Sequence, residues 1–281
     1  MSIDHYENFP VASWLCPKAL RPAVLGLYRF ARVGDDLADE GTASASQRAA
    51  DLHAYAEDLK RVFAGQPASD RWRDVFEPLS RHIQAHDLPQ QLLEDLLSAF
   101  LQDVANPPYP DRTALLDYCR RSANPIGRLL LRLYGRDQEA DLAQSDAICT
   151  ALQLINFWQD LSVDLSRGRI YLPEEDLRRF AVPGWQDQAV PDGPQLRALV
   201  QDLCQWARAL MWSGAPLALR IPGRLGWELR LVVQGGLRVL EKIDRMQYAT
   251  RLARPALHRL DLVVMLGRAW QMPGTLQKRS A

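Results

Sequence analysis

Helical periodicity runs through almost all of this sequence and restricts its fold more than any other feature. Between residues 23 and 38, apolar side chains recur at steps of three and four, which places them along one side of a helix. Residues 92–104, 145–165, 195–212 and 227–248 repeat the pattern. Only residues 168–172 have a weak strand-like character. The sequence therefore predicts an all-α protein.

Composition narrows the class further. The chain has 281 residues, of which 47% are apolar and 24% charged, so it is able to bury a sizeable core. Only residues 184–194 resemble a flexible linker, and this stretch is short, so we interpret residues 1–281 as a single domain. The 34 basic and 34 acidic residues cancel, which argues against nucleic acid as a partner, because nucleic-acid binders normally carry a basic excess.

Targeting signals are missing from the sequence pattern. The apolar runs are shorter than the roughly 18 residues of a membrane-spanning helix, and residues 1–5 do not look like the start of a signal peptide. The four cysteines form no C-x-x-C pair, which favours reduced, mostly buried thiols. We expect a cytoplasmic protein whose contact with the inner membrane, if it makes one, is peripheral.

The first acidic motif follows the apolar run of residues 23–38. Asp35 and Asp39 are spaced i, i+4, so on a continuous helix they share one face, with Asp36 beside them. Such a pair is often only a solvated helix end. Here the apolar residues before it favour a buried helix instead, on which the repelling carboxylates need compensation.

A second polar stripe lies in an otherwise apolar segment. Gln153, Asn156, Asp160 and Asp164 are spaced by three and four residues, which lines their oxygens along one side of a helix. Oxygen ligands that point into a helical bundle are costly unless cations are bound there. Two such stripes facing each other are suited to hold several divalent ions.

The ligand type indicates the metal, and nearby arginines indicate an anion. Carboxylate and amide oxygens without His or Cys favour Mg²⁺, with Mn²⁺ as an alternative. Mg²⁺ usually keeps some of its waters and bridges to substrate phosphates. Arg32 and Arg169 flank the two motifs and suit a diphosphate, although the simpler interpretation is that they pair with the neighbouring aspartates.

Three blocks resemble the squalene/phytoene synthase family of isoprenoid synthases. They are residues 28–40, 118–127 and 153–173, in the family's order and spacing, and the resemblance extends from about residue 7 to about residue 254. Residues 7–13, 156–160 and 234–238 make the chain most similar to the hydroxysqualene synthase branch of bacterial hopanoid biosynthesis.

The resemblance implies an isoprenoid-synthase helical bundle with a central cavity. By the same resemblance, Mg²⁺ is held by Asp35, Asp36, Asp39, Asn156, Asp160 and Asp164. The diphosphate is contacted by Arg32, Arg169 and Tyr171, while Tyr118 and Gln153 lie near the reacting carbons. Asp35, Asp39, Asp160, Asp164 and Tyr118 are the expected catalytic residues.

The chain departs from the family pattern at three places. Gln159 stands where most relatives have Arg, and Gly236 stands where some relatives carry an aromatic residue in the cavity. Residues 7–10 read Glu-Asn-Phe-Pro instead of Ser-Lys-Ser-Phe.

The function implied by the resemblance is a Mg-dependent hydroxysqualene synthase. Such an enzyme ionises the prenyl diphosphate presqualene diphosphate, rearranges the cation and captures it with water, so NADPH is not expected. One alternative is an enzyme of the same fold, a condensing synthase that joins two prenyl diphosphates. The other alternative is not an enzyme but a non-catalytic assembly factor with the same fold. A hydrocarbon product has to pass to a bilayer or to a neighbouring pathway enzyme.

Overall fold

A computed structural model describes residues 16–187 and 189–280, without the side chains of residues 278–280. Residues 7–10, which depart from the family pattern, lie outside this part. The helices are α1 (Arg21–Asp39), α2 (Ala45–Phe63), α3 (Arg73–His86), α4 (Gln90–Ala105), α5 (Arg112–Ser122), α6 (Asn124–Leu133), α7 (Glu139–Gln159), α8 (Leu161–Ser166), α9 (Glu174–Arg179), α10 (Pro194–Gly214), α11 (Leu217–Arg220), α12 (Gly223–Arg245) and α13 (Arg259–Ser280). The described residues contain no strand, and residues 169–171 are irregular, so the all-α prediction is confirmed.

The chain divides into two compact units. Among the described residues, the first unit comprises Cys16–Pro107 and Leu116–Leu142, and the second comprises Pro108–Leu115 and the chain from Ala143 onward. Two of the three boundaries fall inside α5 and α7, and the third lies between Pro107 and Pro108. A single domain over residues 1–281 and a central cavity therefore stay predictions, and each unit is described by itself.

The first unit is built around α1, which packs against α2, α3 and α4. Of its predicted apolar stripe, Leu27 is buried, whereas Val24, Tyr28, Ala31 and Leu37 are half-buried. Phe30 is buried and stacks on Tyr55 with ring centroids 5.4 Å apart. Phe76 and Trp72 pack against the edges of these rings. The Tyr55 hydroxyl donates to the carbonyl oxygen of Phe30 at 3.2 Å, so the buried phenol is satisfied. This aromatic core fixes the position of α1.

Close approach of α1 to α4 depends on Gly34, which immediately precedes the first acidic motif. A Cβ at this position would lie 2.8 Å from the ring of Phe100, well inside van der Waals contact. Glycine therefore lets the two helices meet where Asp35 begins the motif.

In the second unit, α12 packs against α10, α11 and α13. The buried carboxylate of Asp261 joins α13 to α12: it accepts from Arg238 Nε at 2.7 Å and lies 2.8 Å from Lys242 Nζ. It also accepts from the backbone N–H of His258, the residue before α13, at 2.7 Å. This last bond satisfies a donor that a helix N-terminus leaves unpaired.

Two further predictions concern the cysteines and the membrane. Cys16, Cys119 and Cys204 are buried free thiols and Cys149 is half-buried, as expected. Burial raises the pKa of Cys119 to about 12, so this thiol is unreactive at neutral pH. Within the described residues, every helix is too short or too polar to cross a bilayer.

We expect replacement of Asp261 by Asn to lower the free energy of unfolding by about 3 kcal/mol, because half-buried Lys242 loses its carboxylate and buried Arg238 keeps only that of Glu241. Desolvation by burial raises the pKa of Asp261, but the bonds from Lys242, His258 and Arg238 outweigh this effect and lower the pKa below its ordinary value. Its stabilisation is then present above the unfolded pKa of about 4 and lost as the pH falls below it. The free energies of unfolding of wild type and variant, measured in urea, should differ by the same amount at pH 7 and pH 5 and by less at pH 3. An equal difference at all three would contradict this assignment.

Candidate active site

The first acidic motif lies at the end of α1, as predicted, because the helix continues to Asp39. Asp35, Asp36 and Asp39 are all half-buried. Arg32 reaches both neighbours: its Nη1 lies 3.4 Å from Asp35 Oδ2, and its Nη2 lies 2.6 Å from Asp36 Oδ1. Despite partial burial, which lowers it, the pKa of Arg32 is raised by Asp36 and Asp35. In this structure, Arg32 therefore pairs with the neighbouring aspartates, which is the simpler of the two interpretations.

The second motif is not carried by one continuous helix, and that expectation is wrong. Helix α7 ends at Gln159 and α8 begins at Leu161, with Asp160 between them. Helical hydrogen bonds nevertheless span the break: Asp160 N donates to Asn156 O at 2.8 Å, and Asp164 N donates to Asp160 O at 2.9 Å. The four-residue spacing is preserved, and the side chains of all three residues are half-buried.

Arg254 is a member of the site that the sequence reasoning missed. Its guanidinium makes a two-point contact with Asp160, through Nε to Oδ1 and through Nη2 to Oδ2 at 3.2 Å. The next residue accepts a hydrogen bond from the fully buried side chain of Gln159, whose Nε2 lies 2.6 Å from Pro255 O. Gln159 thus anchors the segment that brings Arg254 to the motif. No local spacing signals this contact, since it joins residues 94 positions apart.

A tight loop after α8 returns Arg169 and Tyr171 to the second motif. The backbone N–H of Arg169 donates to Asp164 O at 2.9 Å, and Gly168 adopts a positive φ of 72°. The ring of Tyr171 then stacks on Phe157, with centroids 3.9 Å apart and planes 11° from parallel. Since Phe157 follows Asn156 on α7, the stacking holds Tyr171 against the helix that carries the motif.

Tyr118 and Gln153 lie in different units. Tyr118 is buried in the first unit, and its hydroxyl donates to Asp103 Oδ2 on α4 at 2.9 Å. Sequence reasoning missed Asp103, for which the chain carries no local signal. Gln153 is half-buried on α7, one turn before Asn156.

Gly236 lets α12 pack closely, and no open space faces it. An added Cβ would lie 2.7 Å from Met211 Cε and 3.2 Å from Ile155 Cδ1 and Leu152 Cδ2. Gly236 therefore brings neighbouring side chains close to the backbone of α12. Because two of these neighbours are on α7, Gly236 determines how closely α12 supports the helix of the second motif.

The donor chemistry of both motifs fits a divalent cation bound with help from a substrate. Each motif offers carboxylates one helical turn apart, and the second adds the amide of Asn156. Mg²⁺ is usually bound through one or two carboxylates plus phosphate oxygens, which matches this donor set. In the described part of the chain, no three or more His, Cys, Asp or Glu side chains are grouped as a ready-made metal site. The two motifs lie in different units, so their expected opposition stays a prediction.

The family model for squalene/phytoene synthase matches residues 4–276. The chain belongs to this family. The family consists of isoprenoid synthases, and these enzymes are generally dependent on divalent metals.

Several relatives and solved structures share the family fold with this chain. It is 40% identical to a hydroxysqualene synthase of Zymomonas mobilis over 60% of this chain and 55% of the relative. It is 28% identical to a hydroxysqualene synthase of Sinorhizobium fredii over 98% of this chain and 90% of the relative. Its structure is similar to the crystal structure of squalene synthase HpnC from Alicyclobacillus acidocaldarius, with a TM-score of 0.79 and 38% sequence identity. The match covers 87% of this chain and 90% of the HpnC chain.

We expect Gly236→Ala to lower the free energy of unfolding by about 1–3 kcal/mol, because the added methyl overpacks the contact of α12 with Met211 and α7. Gly267→Ala is the matched control: this helical glycine has nothing within 4 Å of an added Cβ, so alanine should stabilise by about 1 kcal/mol. Chemical denaturation measures both changes. In a Met211→Ala background, Gly236→Ala should lower the free energy of unfolding by less than it does in the wild type. An undiminished loss would rule out the contact with Met211 as its cause.

Proposed function

We propose that this protein is a hydroxysqualene synthase, which converts presqualene diphosphate and water into hydroxysqualene and diphosphate. The observation that carries the proposal is the second motif, where the guanidinium of Arg254 contacts half-buried Asp160 and the ring of Tyr171 stacks on Phe157. Relatives named hydroxysqualene synthase, one of them 32% identical over 80% of this chain, support this reaction.

The oxygen ligands proposed for Mg²⁺ belong to both motifs. They are Asp35, Asp36, Asp39, Asn156, Asp160 and Asp164, and Mn²⁺ is the alternative ion. When bound, the cation neutralises the leaving diphosphate as the C–O bond breaks. We propose no role for NADPH, because the reaction as written needs no reductant.

The arginines and Tyr171 bind and orient the diphosphate in this proposal. Arg32, Arg169 and Arg254 supply cationic charge, and a guanidinium engages phosphate oxygens at two points. Arg32 and Arg254 are held against carboxylates before substrate arrives, so their charge is pre-positioned and little reorganisation is needed. Stacking on Phe157 fixes the ring of Tyr171, whose hydroxyl is proposed to contact the diphosphate.

The chemistry after ionisation requires an apolar surrounding. The C–O bond breaks with its electron pair going to diphosphate, and the cyclopropylcarbinyl cation rearranges. Water then forms a new C–O bond and releases a proton. Tyr118 and Gln153 are proposed to lie near the reacting carbons. Aromatic faces stabilise a cation by about 0.5–2 kcal/mol each, which suits buried rings such as that of Tyr118.

A condensing synthase is the second candidate. It is favoured by relatives named presqualene diphosphate synthase, one of which, from Rhodopseudomonas palustris, is 29% identical over 78% of this chain. In either case the substrate is a prenyl diphosphate. We propose a cytoplasmic enzyme in peripheral contact with the inner membrane or with neighbouring pathway enzymes, because product and substrate carry long hydrocarbon chains.

Purified protein incubated with Mg²⁺ and presqualene diphosphate, without NADPH, should yield hydroxysqualene by mass spectrometry. Asp160→Ala should abolish turnover while the circular dichroism spectrum and melting curve stay near those of wild type. Asp70→Asn, at an aspartate whose side chain is 87% exposed, is the control and should remain active. Conversion of farnesyl diphosphate but not presqualene diphosphate would favour the condensing synthase, and inertness to both would favour an assembly factor.

Arg254→Gln should lower kcat/KM by about 10²-fold, the effect of removing one pre-positioned donor from a developing charge. Arg254→Lys should recover part of the loss, since it keeps the charge without the two-point geometry. Arg251→Gln is the neighbouring control; this guanidinium donates to the backbone oxygen of Val190 and not to the motif. Steady-state kinetics measure all three variants. If Arg254→Gln had the kcat/KM of the wild type, Arg254 would not bind the diphosphate as proposed.

A further inference from the structure

Exposed apolar side chains are concentrated on α13 and the segment before it. Of the large apolar side chains that are exposed in the described residues, six lie between residues 252 and 270: Leu252, Leu260, Leu262, Val263, Leu266 and Trp270. Monomeric proteins seldom leave apolar residues grouped in this way without a partner.

Three of these side chains form one face of the helix. Val263, Leu266 and Trp270 follow one another at steps of three and four residues, and they are 67%, 46% and 75% exposed. Arg259 is exposed one turn before Val263, on the same side. We call the face formed by Arg259, Val263, Leu266 and Trp270 the outer face of α13.

The opposite side of α13 is also apolar and is fully used by the fold. Met265, Ala269 and Met272 are buried, and the ion pairs of Asp261 fix this side against α12. The helix therefore has no freedom to turn its outer face inward. Half-buried Trp227 of α12 lies beside Trp270, with ring centroids 6.1 Å apart, and the guanidinium of Arg230 lies over the Trp227 ring.

Charge in this part of the chain is strongly asymmetric. Although the whole protein is balanced at 34 acidic and 34 basic residues, residues 246–281 contain a single acid, Asp261, which is buried and paired. The same stretch contains six basic residues: Arg251, Arg254, Arg259, Arg268, Lys278 and Arg279. Arg254 is paired with Asp160 and Arg268 with Glu241, so the positive charge of the outer face itself comes from the exposed side chain of Arg259.

We propose that the outer face of α13 docks on the surface of an anionic phospholipid bilayer. Apolar and Trp side chains on one side of a helix, with an exposed arginine beside them, are typical of an interfacial helix. The positive charge selects acidic headgroups and disfavours self-association, because two copies meeting through this face would bring like charges together.

The test uses the full chain without substrate, so its outcome is independent of the proposed reaction. Wild type should sediment with vesicles of equal parts phosphatidylglycerol and phosphatidylcholine, and less with phosphatidylcholine alone or at high salt. The triple variant Val263→Ser, Leu266→Gln, Trp270→Gln should bind at least about tenfold more weakly. Arg259→Gln should weaken binding to the anionic vesicles by about fivefold.

Two controls separate docking from general stickiness. Leu25→Gln changes an equally exposed leucine on α1 and should bind as wild type does. Trp270→Phe should keep binding but lose part of the fluorescence quenching by brominated lipid. Melting curves check that the variants fold. Vesicle binding that the triple variant leaves unchanged would overturn the proposal. So would a wild-type dimer that the same variant converts to monomers without any effect on vesicles.

Discussion

Compensation of half-buried carboxylates by arginines is the interaction on which the candidate site depends. Carboxylates that share a helix face repel one another, and partial burial strengthens that repulsion because less water screens it. In the first motif Arg32 offsets Asp35 and Asp36 from the preceding turn. In the second motif Arg254 offsets Asp160 from a distant part of the chain. Each pairing reduces the repulsion between carboxylates within its own motif.

The local arrangement of the site was predictable, because it follows from the helical period. The i, i+4 pair of Asp35 and Asp39 needs only a continuous α1, and the apolar stripe before it ensures that helix. The break at Asp160 was not predictable, since no Pro or Gly marks it and the apolar spacing continues across it. Contacts such as Tyr118 with Asp103 depend on how helices pack, which periodicity does not specify.

Which side of helix α13 is buried could not be predicted from the spacing of its apolar residues. Amphipathic contrast identifies a helix when one side is apolar and the other polar. Here Met265 and Met272 are buried on one side while Val263 and Trp270 are exposed on the other, so the contrast is weak. Its orientation is set instead by one carboxylate, Asp261, whose pairing with α12 is a tertiary feature. A single buried acid thereby decides which apolar residues meet solvent.

The division of the chain has a consequence for synthesis on the ribosome. The first unit is interrupted by Pro108–Leu115, which belongs to the second, and is complete only once Leu142 has been made. The interrupting segment must then wait for partners such as Asp176 and Asp202, to which Arg112 at the start of α5 is paired. During that interval the nascent polypeptide carries a segment that has not yet found its contacts. Chaperones that shield such intermediates should therefore engage this protein late in translation, after the aromatic core around Tyr55 has already formed.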